Sequence, residues 1–237
     1  MPDTQPQPPE TVETGVAERF KLDTAKHQLT ALHEDGLYRH LRLQQPGTGH
    51  HWFDLITWPG SLTIKGDMGS YTFSRDRDML DFFRRSAYRG GPNLQYWEEK
   101  LDAADAQSGI RAYSEDLLRQ HIADDVTACA ESASAAYMDG LREALDDDLL
   151  GEYSGWCLQD EGDALAGVRQ FSYRPDDAPA SEEPFTFDPT EWVVTDYAWH
   201  YLWCCHAIVW GIAAYDRAKA APPAKVLVAA ATASVEG

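Results

Sequence analysis

The sequence predicts an α+β fold: an antiparallel β-meander of about five strands packed against several helices, the last of them very apolar. Three observations carry this expectation. Between His51 and Arg75 the chain reads HWFDLITWPGSLTIKGDMGSYTFSR, short apolar and aromatic runs broken by Trp58-Pro59-Gly60 and by Gly66-Asp67-Met68-Gly69. Those breaks suit hairpins and would not be tolerated inside a helix. Beyond Arg75 the apolar residues recur at helical spacing. From Tyr197 to Tyr215 the chain has no Asp, Glu, Lys or Arg, which is how a helix at the centre of a core reads.

Taken in order, residues 1–16 (MPDTQPQPPETVETGV) are Pro-rich and polar, and a disordered tail is expected there. Phe20 to Gln28 suits a short helix or the approach to a strand. Asp35-Gly36 then signals a two-residue hairpin. After it Leu37, Arg39, Leu41 and Leu43 alternate with Tyr38, His40 and Arg42, so opposite faces of a strand carry the two sets. A helix ending at Gly36 is the alternative for the first arm. The meander follows as strands over Trp52 to Thr57, Ser61 to Lys65 and Ser70 to Ser74.

Helices are expected over Asp76 to Ala87, where Met79, Leu80, Phe82 and Phe83 make an apolar face, and over Leu94 to Asp105 behind an Asn93 cap. Ser114 opens a long acidic helical region with Leu117, Leu118, His121, Ile122, Val126 and Cys129 as its buried stripe. It extends toward Leu145, where Asp146-Asp147-Asp148 opposes the helix dipole and favours fraying or a new start. Val168 to Tyr173 suits a strand, and Arg174 to Pro189, with its prolines among acids, a loop. The expected organisation is one globular domain over 17–220, mainly β to residue 75 and mainly α beyond it, with a flexible tail over 221–237.

Charge narrows the function classes. The formal net charge is -19. From Asp23 to Lys100 ten acidic residues meet ten basic ones, whereas from Leu101 to His200 there are 23 acidic and five basic. Such a surface repels nucleic acid and anionic membrane and attracts basic partners. Direct nucleic-acid binding is therefore not expected, and Trp192, Trp199, Trp203 and Trp210 read as core rather than as a stacking platform. The apolar segment at 197–215 is read as a buried helix rather than a membrane span, because His200 and His206 lie inside it. With no secretory leader visible and four cysteines in no disulfide pattern, reduced thiols in a cytoplasm are expected.

No Walker loop, dinucleotide fingerprint or nucleophile elbow is present, so no cofactor is expected. The ligand-binding candidates are His40, Asp54, Trp58 and Asp67, polar or aromatic positions on the meander and its turns, where sites collect. Asp67 in its Gly-flanked turn either reaches a ligand or satisfies local amides. Asp124, Asp125, Asp146, Asp147 and Asp148 are the candidates for contact with a partner. His200 and Cys204 share a helical face at zinc-ligand spacing, but no further ligand is nominated, so no metal site is expected.

The segments HEDGLYRHLRL, WFDLITWPG, GDMGSYTFSR and YLWCCHAIVWGI together resemble an uncharacterised family of bacteriophage and prophage proteins, over most of the chain from about Phe20 to Asp216. The resemblance implies an intracellular accessory protein of a mobile element and transfers no catalytic residue. Besides a structural or membrane-associated role, two function classes stand. One is a non-enzymatic factor that binds a basic host or phage protein, in its sharpest form an acidic inhibitor that imitates DNA. The other is an enzyme or small-ligand binder with a pocket at the turn ends of the meander near Asp67.

Overall fold

A computed structural model of the chain describes residues 12–87, 91–179, 181 and 183–221. The fold is α+β, built on an antiparallel sheet. Contacts divide the chain into two compact units, Met1–Ile110 with Trp199–Gly237, and Arg111–Ala198. The stretch over 17–220 read from sequence as one domain thus comprises one unit inserted in the chain of another.

In the first unit, strands β1 (Gln28–Asp35), β2 (Tyr38–Gln44), β3 (Phe53–Trp58), β4 (Ser61–Gly66), β5 (Gly69–Ser74) and β6 (Leu101–Ala103) pair in chain order. The hairpins turn where the sequence punctuates: Gly36 and Gly60 have φ of 59° and 92°, the left-handed region that a side chain disfavours. Register then aligns the apolar positions. Leu41 faces Leu55, Leu55 faces Ile64, and Ile64 faces Tyr71, all fully buried. Each such side chain contributes about 1.5–3 kcal/mol by leaving water.

The C-terminal helix α7 (Trp199–Ala220) covers this face. At Gly211 the helix comes close to the sheet: a Cβ there would lie 2.8 Å from Leu55 Cδ1 and 3.3 Å from Phe53 Cε2. A mid-helix glycine costs about 1 kcal/mol against alanine, here offset by closer helix-on-sheet packing. Helices α1 (Val12–Thr24) and α2 (Met79–Ala87) pack on other sides of α7, which is why the helix is apolar nearly all round. Phe20 meets Trp203 edge-on at 5.0 Å between ring centroids. Among the described residues no helix is long and apolar enough to cross a membrane.

Several elements differ from the sequence reading. The expected disordered tail over 1–16 gives way to α1 from Val12, because Val16 and Phe20, one turn apart, are both buried. Residues 1–11 and 222–237, the greater parts of the two expected tails, lie outside the described residues. The helix expected from Leu94 to Asp105 is only α3 (Leu94–Glu98), and the chain then turns into β6, where Leu101 pairs with Phe73. Completing the sheet edge outweighs the helical propensity of LDAAD.

In the second unit, the long helix expected from Ser114 is two: α4 (Glu115–Ala130) and α5 (Ala135–Leu145). Ser134 caps α5 by accepting a hydrogen bond from the Tyr137 amide, so Ser132-Ala133-Ser134 is a break rather than helix interior. A π-helical turn, Asp146–Leu150, follows directly. Helix α6 (Glu161–Gln170) starts at an Asp160 cap. Two strand pairs complete the unit: β7 (Arg111–Tyr113) with β10 (Thr195–Tyr197), and β8 (Ser172–Tyr173) with β9 (Phe185–Thr186). The stretch expected as loop over 174–189 therefore contains a strand. Leu118, Ile122, Leu141, Leu145, Leu149 and Val168 lie in the core of this unit.

Candidate functional site

Strand alternation sends His40 and Arg42 of β2, with Asp54, Ile56 and Trp58 of β3, to the sheet face opposite α7. Register sets Arg42 across from Asp54 and His40 across from Ile56. Asp54 is the centre of the cluster. Its side chain is only 5% exposed and accepts three hydrogen bonds. Arg42 donates twice, Nε to Oδ1 and Nη2 to Oδ2, each at 2.7 Å, and His40 Nε2 donates to Oδ2 at 2.9 Å. Burial alone would raise the Asp54 carboxyl, but the bonds from Arg42 and His40 outweigh it and hold it below the ordinary carboxylate range. The Arg42 guanidinium also lies 4.7 Å from the centre of the Trp52 ring.

Because a carboxylate can only accept, His40 Nε2 carries the proton of this bond, which fixes the orientation of the ring. His40 and Trp58 line one cleft of about 390 Å³, with Ile56, His33, Asp35 and Tyr38. Tyr38 and Trp58 remain 55% and 39% exposed.

Asp67 does not join this group. Trp58 ends β3 and meets Ser61, whereas Asp67 follows Gly66 at the far end of β4. Its carboxylate accepts from the His51 amide at 2.9 Å, and its own amide donates to the Trp52 carbonyl at 3.0 Å. His51 needs the support, having the left-handed φ of 57° that a non-glycine residue seldom adopts. Asp67 is thus engaged in holding the turn. The structure brings His40, Asp54 and Trp58 to one region and leaves Asp67 at the other end of the strands.

A second polar cluster surrounds His51. Its carbonyl oxygen bonds His27 Nε2 at 2.9 Å, and its ring lies 3.7 Å from the Asp23 carboxylate. Asp23, 4% exposed at its side chain, also accepts from Arg19 at 2.9 Å. The Trp203 indole N–H donates to it at 3.2 Å. These bonds tie the end of α1 to the sheet and to α7. Cys204, considered with His200 as a metal ligand, donates its thiol to the Met68 carbonyl at 3.5 Å, and burial pushes that thiol well up. Among the described residues, no three His, Cys, Asp or Glu side chains come together as a metal-holding group.

In the second unit Asp124 on α4 and Asp146, Asp147 and Asp148 in the π-helical turn are exposed, and Asp125 is half-buried. Asp147 and Asp148 border a cleft of about 350 Å³ together with Glu143, Tyr173, Arg174 and Asp176. The unit holds 21 of the chain's 39 acidic residues and only five of its 20 basic ones. Of those five, Arg119 is bonded to Glu115, Arg142 to Asp139, and Arg111 lies over the Tyr197 ring.

His33, Asp35, Tyr38, Arg42 and Ile56 take part in this region without being among the candidates named from sequence. Alternation with the buried Leu41 and Leu43 was the signal that could have found the pair on β2.

The chain matches no protein-family model, no curated protein and no solved structure.

Proposed function

We propose that the protein is a non-enzymatic binding factor that offers an acidic surface to a basic protein partner, an intracellular accessory protein of the kind the phage-family resemblance implies. One observation carries the reading. Nearly all of the net charge of -19 sits in the compact unit Arg111–Ala198, where 21 acidic residues face five basic ones. A charge imbalance confined to one folded unit gives a directional field that steers an oppositely charged protein and raises its association rate. The exposed carboxylates on α4 and in the π-helical turn present fixed negative charges, as the phosphates of DNA do, and a DNA-binding protein is the partner class such a surface fits.

The test is an affinity capture from bacterial lysate at low and high salt, followed by measured affinity for the protein recovered. The expected partner is basic, and its affinity falls at least tenfold between about 50 and 300 mM salt as screening shortens the field. Replacing Asp146, Asp147 and Asp148 by Asn weakens binding further at low salt than at high. A partner whose affinity responds to neither salt nor these substitutions overturns the proposal.

A further inference from the structure

The cleft beside Trp58 belongs to the sheet unit, whereas the acidic surface belongs to the other unit. We infer that the cleft binds an organic cation of the guanidinium or alkylammonium class, through the Trp58 and Tyr38 rings and the Asp35 carboxylate.

The argument is one of complementarity. Two aromatic side chains, 55% and 39% exposed, stand on a cleft of about 390 Å³ otherwise lined by His33, Asp35, Arg39, His40, Ile56 and Thr57. Large aromatic surface left in water at a concave site is what a ligand covers. Asp35 supplies the one carboxylate of the lining, and the His40 Nε2 proton and the Thr57 hydroxyl are both spent on protein acceptors, Asp54 and the Leu37 carbonyl. The one permanent cation in the lining, Arg39, is held by both oxygens of Asp78 at 3.0 and 2.9 Å, so its charge is answered outside the cleft. What remains is a pair of π faces and a carboxylate, which favours a donor-rich, positively charged, partly apolar group. Asp54, buried and braced by Arg42, positions the His40 ring and makes no claim to the ligand itself.

Such a cation is carried either by a free small molecule or by an arginine or lysine side chain of a protein. The intact protein is titrated with methylguanidinium chloride and, separately, with its uncharged isostere N-methylurea, at constant ionic strength. Binding is followed by NMR through the Trp58 indole N–H, assigned by its loss in Trp58→Phe, and through the amides of Ile56 and Gly60. The expected result is a saturable shift with methylguanidinium, with a Kd on the order of millimolar, and none with N-methylurea. Asp35→Asn and Trp58→Ala, both at exposed positions, each weaken it about fivefold, while Asp146→Asn with Asp147→Asn and Asp148→Asn leave it unchanged. A blocked Ala-Arg-Ala peptide that binds more tightly than methylguanidinium assigns the source to a protein side chain; equal or weaker binding assigns it to a free cation. Equal shifts with N-methylurea, saturation by a neutral methyl glycoside or by inorganic phosphate instead, or no shift at Trp58 overturns the inference.

Discussion

Replacing Asp54 by Asn tests whether the His40–Asp54–Arg42 cluster holds the sheet face together. The carboxylate is 5% exposed and accepts three charge-assisted hydrogen bonds, while its donors His40 and Arg42 are 35% and 34% exposed at their side chains. A hydrogen bond to a charged group contributes about 1.5–3 kcal/mol when shielded. Partly exposed donors regain water on release, which brings each bond toward the ~0.2–1 kcal/mol of a surface pair. At about 1 kcal/mol apiece the three sum to roughly 3 kcal/mol, and the amide oxygen of Asn retains one, leaving a loss of about 2 kcal/mol. For a unit of this size that lowers Tm by about 4–8 °C. The pH dependence carries a second signature. The folded carboxyl lies below its ordinary value, so on acidification the unfolded chain takes up this proton first. The stabilisation is complete above about pH 5 and is lost as pH falls below about 4, through the folded value. Urea denaturation of both proteins between pH 7 and 3 measures both effects, and Asp54→Asn is expected to have the shallower acid limb. A change at pH 7 within ~0.5 kcal/mol, or an acid limb identical in the two proteins, refutes the reasoning.

Three further outcomes are expected. Gly66→Ala would press its Cβ against the Trp52 carbonyl oxygen and to 2.8 Å from Phe53 Cα, backbone atoms that cannot swing aside, so the unfolding free energy measured in urea should fall by about 2 kcal/mol; an unchanged value contradicts the close approach. Burial, then the nearby Lys21, lowers the His206 imidazole, so the unfolded chain protonates first and stability falls as pH drops from ~6.5 through the folded value; in His206→Phe that slope, read from urea midpoints, should flatten, and an undiminished slope assigns it elsewhere. Cys157 is exposed, Cys129 half-buried, and Cys204 and Cys205 buried; peptide mapping after brief treatment with a thiol reagent at pH 8 should find Cys157 labelled first and the adjacent pair only after unfolding, whereas prompt labelling of Cys204 would contradict its burial.

What could be read from the sequence was local. Asp35-Gly36 and Trp58-Pro59-Gly60 fix turns through backbone preferences, and two-residue periodicity fixes which face each strand residue takes, so the meander from β2 to β5 emerges within a residue or two at each end. The apolar helix was equally plain, since a charge-free run of its length has to be buried. Elements held in place by their partners were not legible. β6 exists because β5 offers an open edge to Leu101, and β7 and β10 because they meet across more than 80 residues of chain. The site divides along the same line. His40, Asp54 and Trp58 were nominated as polar or aromatic residues on the meander, but the bond from Arg42 to Asp54 depends on cross-strand register. Asp67 was nominated for its Gly-flanked turn, and only the folded chain shows its carboxylate engaged by the His51 amide.

The insertion of one unit in the chain of another bears on the order in which the protein is made. All six strands of the sheet lie before Ile110, yet the helix that covers them begins only at Trp199. A ribosome adding about 5–20 residues per second therefore leaves Leu41, Leu55, Ile64 and Tyr71 without their cover for roughly 5–20 s while the intervening segment is synthesised. The segment made during that interval is the acidic unit. It has its own apolar core, and its two ends are fastened together where Arg111 pairs with Tyr197. The chain that waits for α7 thus already carries 21 carboxylates against five cations in this unit, and like charge opposes the association of one such chain with another.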